Sequence, residues 1–283
     1  MRKTLVLYAL LVISSVAMAQ TPLQVMTFNI RYNNPADSLD AWPYRKDKVA
    51  GTVLFQEAHL LGVQEALYDQ ITDLQQRLPQ YKYIGVGRDD GKTQGEFSAI
   101  FYDTTRLQLL QSQTFWLSTT PGVPGSKGWD AAITRIVTWG KFRDKKTKQV
   151  FVHFNTHFDH KGEVARRESA HLLLKQVAAI AGKTPALITG DFNAKPGDEP
   201  IQVIMNSSDP LHLQDSKALS QTPHFGPEST FNGFKSGERG DQPIDYIFLK
   251  GSFRVLQHAT LSHTWKGRFA SDHFAVYSRL VIK

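Results

Sequence analysis

Strand-like segments far outnumber helix-like segments in this chain, and that imbalance most limits the folds it can adopt. Eleven runs rich in β-branched and aromatic residues lie between residues 23 and 281, whereas only residues 44–59, 66–78 and 163–181 show helical periodicity. The pair of runs around Lys145 and Lys146 predicts a hairpin, and therefore some antiparallel pairing. A single parallel, doubly wound sheet would need a crossover helix between most strands. We therefore predict two packed mixed sheets flanked by helices, an α+β (α/β) architecture.

The first 19 residues have the pattern of a secretion signal. Arg2 and Lys3 precede an apolar run at 5–18, and Ala17-Met18-Ala19 fits the small-residue cleavage pattern. The run is too short to span a membrane comfortably. We predict a signal peptide at 1–19, one mature domain at 20–283, a periplasmic or secreted location, and no transmembrane segment after cleavage.

Composition restricts the stabilising devices and the ligands of the mature chain. There is no cysteine, so disulfides and lipid attachment through cysteine are excluded, and stability must come from the core. The formal net charge of +7 falls to +5 once Arg2 and Lys3 are removed with the signal. This mild excess permits an anionic substrate, but nucleic-acid binders usually show a concentrated basic stripe. The densest basic stretch, 141–148, lies between two strand-like runs and is predicted to be a solvated hairpin tip.

Polar side chains follow or precede several of the predicted strands. Apolar runs lead into Asn29, Glu65, His157 and Asp191, and the segment Ser271-Asp272-His273 comes directly before the last strand. Charged groups at the edge of a core are costly unless they are paired or bound to a metal ion. The recurrence of this pattern indicates an active site.

The oxygen-bearing members of this set indicate a hard cation. They are Asn29, Glu65, Asp191, Asn193 and Asp272. Carboxylate and amide oxygens suit Mg²⁺, with Mn²⁺ or Ca²⁺ as alternatives. Two of them also have an ordinary structural explanation, because Asn29 could cap a turn and Glu65 could lie in the first turn of a helix.

The histidines leave a zinc site open as an alternative. His157, His160 and His273 are its candidate ligands, with His153 as a fourth. The spacing of His153 and His157 would suit zinc only on a helix, whereas this segment alternates as a strand. We therefore expect His153 to be partly exposed and His157 to reach the site.

Four more residues are candidates for positioning or binding. A carboxylate at Asp245 could orient His273 and raise its basicity, or the two could form a buried polar pair. Arg135 is predicted to bind phosphate. Trp116 and Trp129 bracket a loop rich in Pro, Gly and Ser, where a tryptophan could stack on a base or sugar ring, or pack beneath the loop as core.

Six short segments, in order, resemble the motifs of the endonuclease/exonuclease/phosphatase superfamily. They are Thr27-Phe28-Asn29-Ile30, Val63-Gln64-Glu65, Asn155-Thr156-His157, Gly190-Asp191-Phe192-Asn193, Ile244-Asp245-Tyr246 and Ser271-Asp272-His273. The resemblance covers about residues 23–280. Segments 190–196 and 230–234 look most similar to those of deadenylase/nocturnin-like nucleases and of secreted bacterial members.

The resemblance implies a DNase I-like four-layer α/β/β/α sandwich whose catalytic domain spans residues 20–283. It also implies metal-assisted hydrolysis of phosphoesters. Carried over by motif, the resemblance implies that Asn29, Glu65 and Asp272 surround the metal. It implies that Asp191 and Asn193 position or deprotonate the attacking water and that His157 holds a phosphate oxygen. His273, oriented by Asp245, would be the general base or a phosphate clamp.

The substrate remains open at this stage. A phosphodiesterase acting on nucleic acid or a nucleotide is the first hypothesis, with a monomeric enzyme expected. The alternatives are a phosphatase or phospholipase C-like enzyme acting on phosphosugars or phospholipid headgroups, and a non-catalytic binding protein on the same fold. Fold membership does not select a substrate.

Overall fold

The computed structural model describes residues 21–235 and 240–283, so the predicted signal peptide at 1–19 lies outside the described residues. The strands are β1 (Leu23–Asn29), β2 (Leu60–Gln64), β3 (Tyr81–Ile84), β4 (Ile100–Asp103), β5 (Leu107–Trp116), β6 (Ile136–Asp144), β7 (Val150–His157), β8 (Ala186–Asp191), β9 (Gln214–Asp215), β10 (Asp245–Lys250), β11 (Phe253–Leu261) and β12 (Ala275–Ile282). The helices are α1 (Lys46–Phe55), α2 (Tyr68–Arg77), α3 (Glu163–Ala181) and α4 (Glu199–Met205), with two short 3-10 turns at Pro35–Asp40 and Trp42–Tyr44.

The strands form two six-stranded mixed sheets. Their orders are β11-β12-β1-β2-β4-β3 and β5-β6-β7-β8-β10-β9. Among the strands named above, β1–β2 and β7–β8 pair in parallel, and the predicted hairpin joins β6 to β7 as an antiparallel pair. The prediction of two mixed sheets is therefore confirmed.

Three buried apolar clusters give the molecule four layers. One lies between the sheets and includes Val25, Leu60, Phe151, Leu187 and Ile247. The second joins α1 and α2 to the outer face of the first sheet, and the third joins α3 and α4 to the outer face of the second. This is the predicted DNase I-like α/β/β/α sandwich. Within the described part of the chain, no helix is long and apolar enough to cross a membrane.

Helix α3 shows why the periodic pattern was informative. Its residues Ala170, Leu173, Leu174 and Val177 are all buried against the second sheet, and its bounds match the prediction. Helices α1 and α2 are shorter than predicted. In α1 this is because Glu57 adopts a left-handed conformation (φ 49°), which turns the chain into β2. Helix α4, at seven residues, is too short to show a helical period and was missed.

The interface between the sheets changes character along the strands. On β7 the residues facing it are Phe151, then His153 and Asn155, and finally His157 at the strand end. The expectation that His153 is partly exposed was wrong, since it is 0 % exposed and its Nε2 lies 2.8 Å from Thr189 Oγ1. Both faces of β7 are covered, one by the other sheet and one by α3. The alternation of residues along this strand therefore does not tell which of them are exposed to solvent.

Asn155 is the centre of this polar stretch. Its Nδ2 donates to the carbonyls of Val63 (2.8 Å) and Ala99 (2.9 Å). Its Oδ1 accepts from Gln64 Nε2 (2.7 Å) and Thr189 Oγ1 (2.9 Å). Three of these hydrogen bonds join the second sheet to the first, and the one from Thr189 lies within the second sheet. Together the four use the full capacity of the amide.

Candidate active site

Strand direction brings the polar strand ends together. Because β1 and β2 are parallel, Asn29 and Glu65 emerge at the same edge of the first sheet, and because β7 and β8 are parallel, His157 and Asp191 emerge together from the second. Strand β10 runs antiparallel to β8 and begins at Asp245, which is paired in register with Asp191. The polar positions therefore converge at one end of the sandwich.

A cavity of about 460 Å³ opens at this end. The charged and polar residues that line it are Arg31, Tyr32, Glu65, Glu96, Arg135, His157, His160, Asp191, Asn193, Asp272 and His273. Seven of the eleven site residues predicted from the sequence are in this lining. Asn29 and Asp245 lie directly behind it, in hydrogen-bond contact with residues that line it.

Asp191 lies at the centre of the cluster. Its Oδ2 accepts from Asn29 Nδ2 (3.0 Å) and lies 3.4 Å from His157 Nε2, while its Oδ1 accepts from the backbone of Asn193 (2.9 Å). Burial, together with the nearby Asp245 carboxylate, raises the pKa of Asp191 to about 7. A carboxylate with that pKa can exchange a proton at neutral pH.

His273 is held by Asp245. The His273 Nδ1 lies 2.9 Å from Asp245 Oδ2, which also accepts from Thr230 Oγ1 (2.6 Å). Burial alone would lower the pKa of His273, but the Asp245 carboxylate raises it well above its ordinary value. The imidazole is therefore protonated at neutral pH, and its Nε2 points toward Asp191 at 3.8 Å.

His157 has the opposite electrostatic character. The Asn193 Nδ2 donates to the carbonyl of Phe158 (3.0 Å), which fixes the amide orientation, and it lies 2.9 Å from His157 Nε2. The Nε2 must therefore accept, so the proton of a neutral His157 is on Nδ1. Burial, and after it the Arg135 guanidinium, lowers the pKa of His157 well below its ordinary value.

The residues predicted to surround the metal lie on one side of Asp191. Glu65 Oε1 accepts from Asn29 Nδ2 (3.0 Å), and the Asp272 carboxylate faces the same space. Arg31 approaches Glu65 at 3.9 Å and Asp272 at 3.8 Å, too far for a close hydrogen bond. Burial, with a contribution from Glu65, raises the pKa of Asp272. Among the described residues, Arg31 is the cation that pairs with these two carboxylates, and it does so without a close hydrogen bond. Oxygen donors that repel one another and are only loosely paired fit a hard divalent cation.

A second group of possible ligands is buried beside these residues. One ligand atom each from Asp191, Asp245 and His273 lies within 4.8 Å of the others, and such a group could hold a metal ion. The His273 Nδ1 and Asp245 Oδ2 already hydrogen bond to each other. The predicted zinc alternative based on His153 does not fit, since His153 Nε2 is engaged by Thr189 inside the interface.

Three cavity residues have left-handed backbone conformations. They are Arg31 (φ 55°), Glu65 (φ 63°) and Asn193 (φ 47°). Such conformations cost non-glycine residues on the order of 1 kcal/mol each and concentrate at functional sites. Each of the three directly follows, or lies two residues beyond, the end of a strand, so the strain turns the side chain into the cavity.

The three residues predicted to bind substrate have different positions. Arg135 is 4 % exposed and lines the cavity. Trp116 and Trp129 do not line it: Trp116 is buried beneath the loop and its Nε1 donates to the carbonyl of Arg88 (2.7 Å), whereas Trp129 is 36 % exposed. Glu96 was missed by sequence reasoning, because it lies in the irregular loop between β3 and β4 and follows no strand end.

A four-layer sandwich with paired carboxylates, histidines and an arginine at its edge is the arrangement of a phosphoester hydrolase. The chain matches the Endonuclease/Exonuclease/phosphatase family over residues 26–273. The chain therefore belongs to this family, whose members act on phosphoesters and generally depend on a divalent metal.

Curated relatives agree with the resemblance seen in the motifs. Protein angel of Drosophila melanogaster is 26 % identical over 223 residues, which are 73 % of this chain and 58 % of that protein. Nocturnin of the same organism is 27 % identical over 86 % of this chain and 42 % of its own length. The chain thus spans about half the length of these relatives.

Solved structures cover the whole fold. An endonuclease/exonuclease/phosphatase from Bacteroides vulgatus is 39 % identical with a TM-score of 0.89, over 93 % of this chain and 100 % of the other. A mannosyl-6-phosphatase from Bacteroides thetaiotaomicron is 38 % identical with a TM-score of 0.87, over 92 % and 100 %. The human nocturnin catalytic domain, at 22 % identity, has a TM-score of 0.72 over 93 % and 94 %, a likeness of fold alone.

Proposed function

We propose that the protein is a divalent-metal-dependent phosphatase that removes phosphate from phosphorylated sugars outside the cytoplasm. The observation that carries this proposal is the charge of the cavity. Among the described residues, its lining contains four carboxylates, two arginines and no lysine. A polyanion such as nucleic acid needs a basic track for its successive phosphates, whereas a single phosphate next to a bound cation does not.

The size of the cavity and one neighbouring structure support a small substrate. About 460 Å³ lies within the range of pockets that enclose a small molecule. The likeness to a mannosyl-6-phosphatase at 38 % identity over nearly the whole chain favours a phosphosugar over other phosphomonoesters.

The protonation states distinguish the roles of the catalytic residues. Asp191, with a pKa of about 7, is suited to accept a proton from the attacking water. His273 remains protonated beside Asp245, so it suits a phosphate clamp better than a general base. Asn193 holds His157 and, through its backbone, Asp191, so it keeps these two groups in register.

Asn29, Glu65 and Asp272 would hold the divalent cation, with Mg²⁺ preferred and Mn²⁺ or Ca²⁺ as alternatives. A cation there supplies polarisation of the phosphate and stabilisation of the leaving oxygen. Arg31 is held more closely by Asp37 (3.1 Å) than by Glu65 (3.9 Å), so the Glu65 carboxylate would be able to bind the cation.

The proposal is tested by steady-state hydrolysis of mannose 6-phosphate, p-nitrophenyl phosphate and bis-p-nitrophenyl phosphate, each with Mg²⁺, Mn²⁺ or EDTA. We expect turnover of the monoesters that EDTA abolishes and that Asp191→Asn loses. Efficient hydrolysis of the diester, with the monoesters inert, would contradict the proposal.

A phosphodiesterase of the nuclease type is the second candidate. The sequence likeness to protein angel and nocturnin favours it. Cleavage of a single-stranded oligonucleotide, with an affinity that falls steeply as salt rises, would support this candidate over the phosphatase.

The location rests on the N-terminal sequence. Residues 1–19 have the charge, apolar run and cleavage pattern of a secretion signal. Mass spectrometry of the native protein should find a mature N-terminus at Gln20, and a retained Met1 in a cytoplasmic fraction would contradict a periplasmic or secreted location. The monomeric state remains a prediction, to be checked by light scattering.

A further inference from the structure

One wall of the cavity carries charged groups that the hydrolytic chemistry does not use. Its lining residues are Glu96, Arg135 and His160. Arg88 does not line the cavity but hydrogen bonds to Glu96, and we call these four residues the arginine–glutamate wall. The catalytic cluster is built from strand ends, whereas Arg88 and Glu96 come from the loop between β3 and β4. Burying such groups is costly unless partners satisfy them.

Arg135 is the first residue of this wall with polar atoms that lack a hydrogen-bond partner. Its side chain is 4 % exposed, yet neither Nε nor Nη1 has a hydrogen-bond partner within the described residues. Nη2 lies 3.2 Å from His160 Nδ1, and the nearest carboxylate, Asp159, stays 3.6 Å from Nε. Asp159 is itself held by the backbone amides of Lys161 (3.0 Å) and Gly162 (2.8 Å), so it supplies charge to Arg135 without a close hydrogen bond.

Glu96 is the second residue of the wall with a polar atom that lacks a hydrogen-bond partner. Its side chain is 17 % exposed, and its Oε2 accepts from Arg88 Nη1 at 2.6 Å. The other oxygen, Oε1, has no hydrogen-bond partner among the residues that the structure describes. The backbone of Arg88 is itself held by two hydrogen bonds. Trp116 Nε1 donates to the Arg88 carbonyl (2.7 Å), and the Arg88 amide donates to the Glu96 carbonyl (3.1 Å). The carboxylate is thus held firmly while one of its oxygens remains free.

The wall therefore places a free carboxylate oxygen of Glu96 beside the nitrogen-bearing side chains of Arg135 and His160 in the cavity lining, although the unpaired Nε and Nη1 of Arg135 are themselves buried from solvent. A hydroxyl group needs both an acceptor and a donor, because it donates one hydrogen bond and accepts others. A phosphate offers only acceptors and would be repelled by the Glu96 carboxylate. Beside a phosphate site, such a pair suits the hydroxyl-bearing part of a phosphorylated molecule.

We propose that Glu96, supported by Arg88 and flanked by Arg135 and His160 in the cavity lining, binds hydroxyl groups of the substrate's leaving group and so selects polyhydroxylated, sugar-like phosphomonoesters. This inference rests on the proposed phosphatase function and extends it. Sites that hydrogen bond to a substrate hydroxyl discriminate strongly against analogues that lack it, because the buried polar groups of the site are then left unpaired.

The test compares mannose 6-phosphate with phenyl phosphate, whose leaving group carries no hydroxyl besides the one released. The variant is Glu96→Gln, which keeps the shape and removes the charge. The matched control is Glu57→Gln, since Glu57 is exposed and precedes β2 at the end opposite to Glu65. The values of kcat and KM are measured with saturating Mg²⁺, and circular dichroism checks the fold.

We expect the wild-type protein to prefer mannose 6-phosphate, and Glu96→Gln to reduce the ratio of the two kcat/KM values at least about 30-fold. Most of the loss should be a rise in KM for the sugar phosphate. Glu57→Gln should leave the ratio within about twofold.

Equal losses for both substrates would overturn the inference and leave the phosphatase proposal intact, because they would assign Glu96 a merely structural or general role. A wild-type protein that hydrolyses phenyl phosphate at least as efficiently as the sugar phosphate would overturn it in the same way. Absence of metal-dependent hydrolysis of any monoester would instead remove the phosphatase proposal, and the inference with it.

Discussion

Two buried polar regions lie next to each other between the same two sheets, and they differ in charge. The interior network consists of Gln64, His153, Asn155 and Thr189, and the catalytic cluster consists of Glu65, Asp191, Asp245, Asp272 and His273. The network is neutral and is joined by hydrogen bonds of 2.7–2.9 Å. The cluster holds four carboxylates around one protonated histidine.

Each region leaves some atoms unpaired, so orphaned atoms alone do not separate them. In the network these are Gln64 Oε1 and His153 Nδ1, and in the cluster Asp245 Oδ1. What separates the two is the raised pKa of the Asp191 and Asp272 carboxyls and the left-handed backbone at Glu65. Buried polar side chains indicate a functional site when they are charged and their backbone is strained. They indicate a structural connection between the sheets when they are neutral and hydrogen-bonded to one another.

The largest effect should follow from Asp191→Asn. We expect kcat to fall at least about 1000-fold, because a carboxylate poised to accept a proton is replaced by an amide that cannot. The free energy of unfolding in EDTA should not fall, since burial and Asp245 already disfavour the ionised form of Asp191. Kinetics and urea unfolding of the same preparations check both statements. A stability loss as large as that of an interior variant would show that the two regions do not differ.

The reverse pattern is expected for Asn155→Leu. This change removes four buried hydrogen bonds, three of them between the sheets, and should lower the free energy of unfolding by about 3 kcal/mol. The folded fraction should keep most of the turnover that Asp191→Asn loses. Exposed Asn206→Ala is the control, expected to cost less than about 1 kcal/mol. Unfolding in urea gives both values, and equal costs for the two variants would refute the role of Asn155 in connecting the sheets.

The pH dependence of stability should reveal His153. Burial lowers the pKa of His153 to about 3, so below its ordinary pKa the unfolded chain takes up a proton that the native protein does not. Stability is therefore present above about pH 6.5 and is lost as pH falls, by about 1.4 kcal/mol per pH unit. Between pH 6.5 and 5, His153→Gln should lose about 2 kcal/mol less than the wild type. Urea unfolding of both proteins across this pH range measures the difference. Identical slopes of the free energy of unfolding against pH for the wild type and His153→Gln would contradict the lowered pKa of His153.

The smallest effect is expected at Trp129. It is 36 % exposed and does not line the cavity, so Trp129→Ala should change kcat/KM for mannose 6-phosphate by less than about threefold. A larger rise in KM would indicate that Trp129 stacks on the substrate, one of the two roles that the sequence pattern allowed.

The strand ends explain how much of the site could be predicted. Asn29, Glu65, His157 and Asp191 each end an apolar run, and parallel pairing then places them at the same edge, so pattern and topology were enough. The family motifs added the fold and the roles. The burial of His153 could not be predicted in the same way, because a strand that is covered on both faces has no solvent-exposed side.

The arginine–glutamate wall could not be predicted because it depends on the path of a loop. Glu96 meets Arg88 through the hairpin-like turn between β3 and β4. Arg135, which directly precedes β6, comes near both only through the packing of the two sheets. Loops carry no periodic signal, so their contacts follow from tertiary structure rather than from local pattern. Helix α4 was missed for a related reason, since seven residues are too few for a period.

The most direct test of the contrast between the two regions is the effect of Mg²⁺ on stability. A charged, strained cluster built for a cation should be stabilised by it. We expect saturating Mg²⁺ to raise the free energy of unfolding of the wild type by about 2–3 kcal/mol at 100 times the dissociation constant. Asn155→Leu should show the same increase from a lower baseline, and Glu65→Gln should show little or none. An unchanged wild-type stability with both Mg²⁺ and Mn²⁺, or an undiminished increase in Glu65→Gln, would contradict a cation site among Asn29, Glu65 and Asp272.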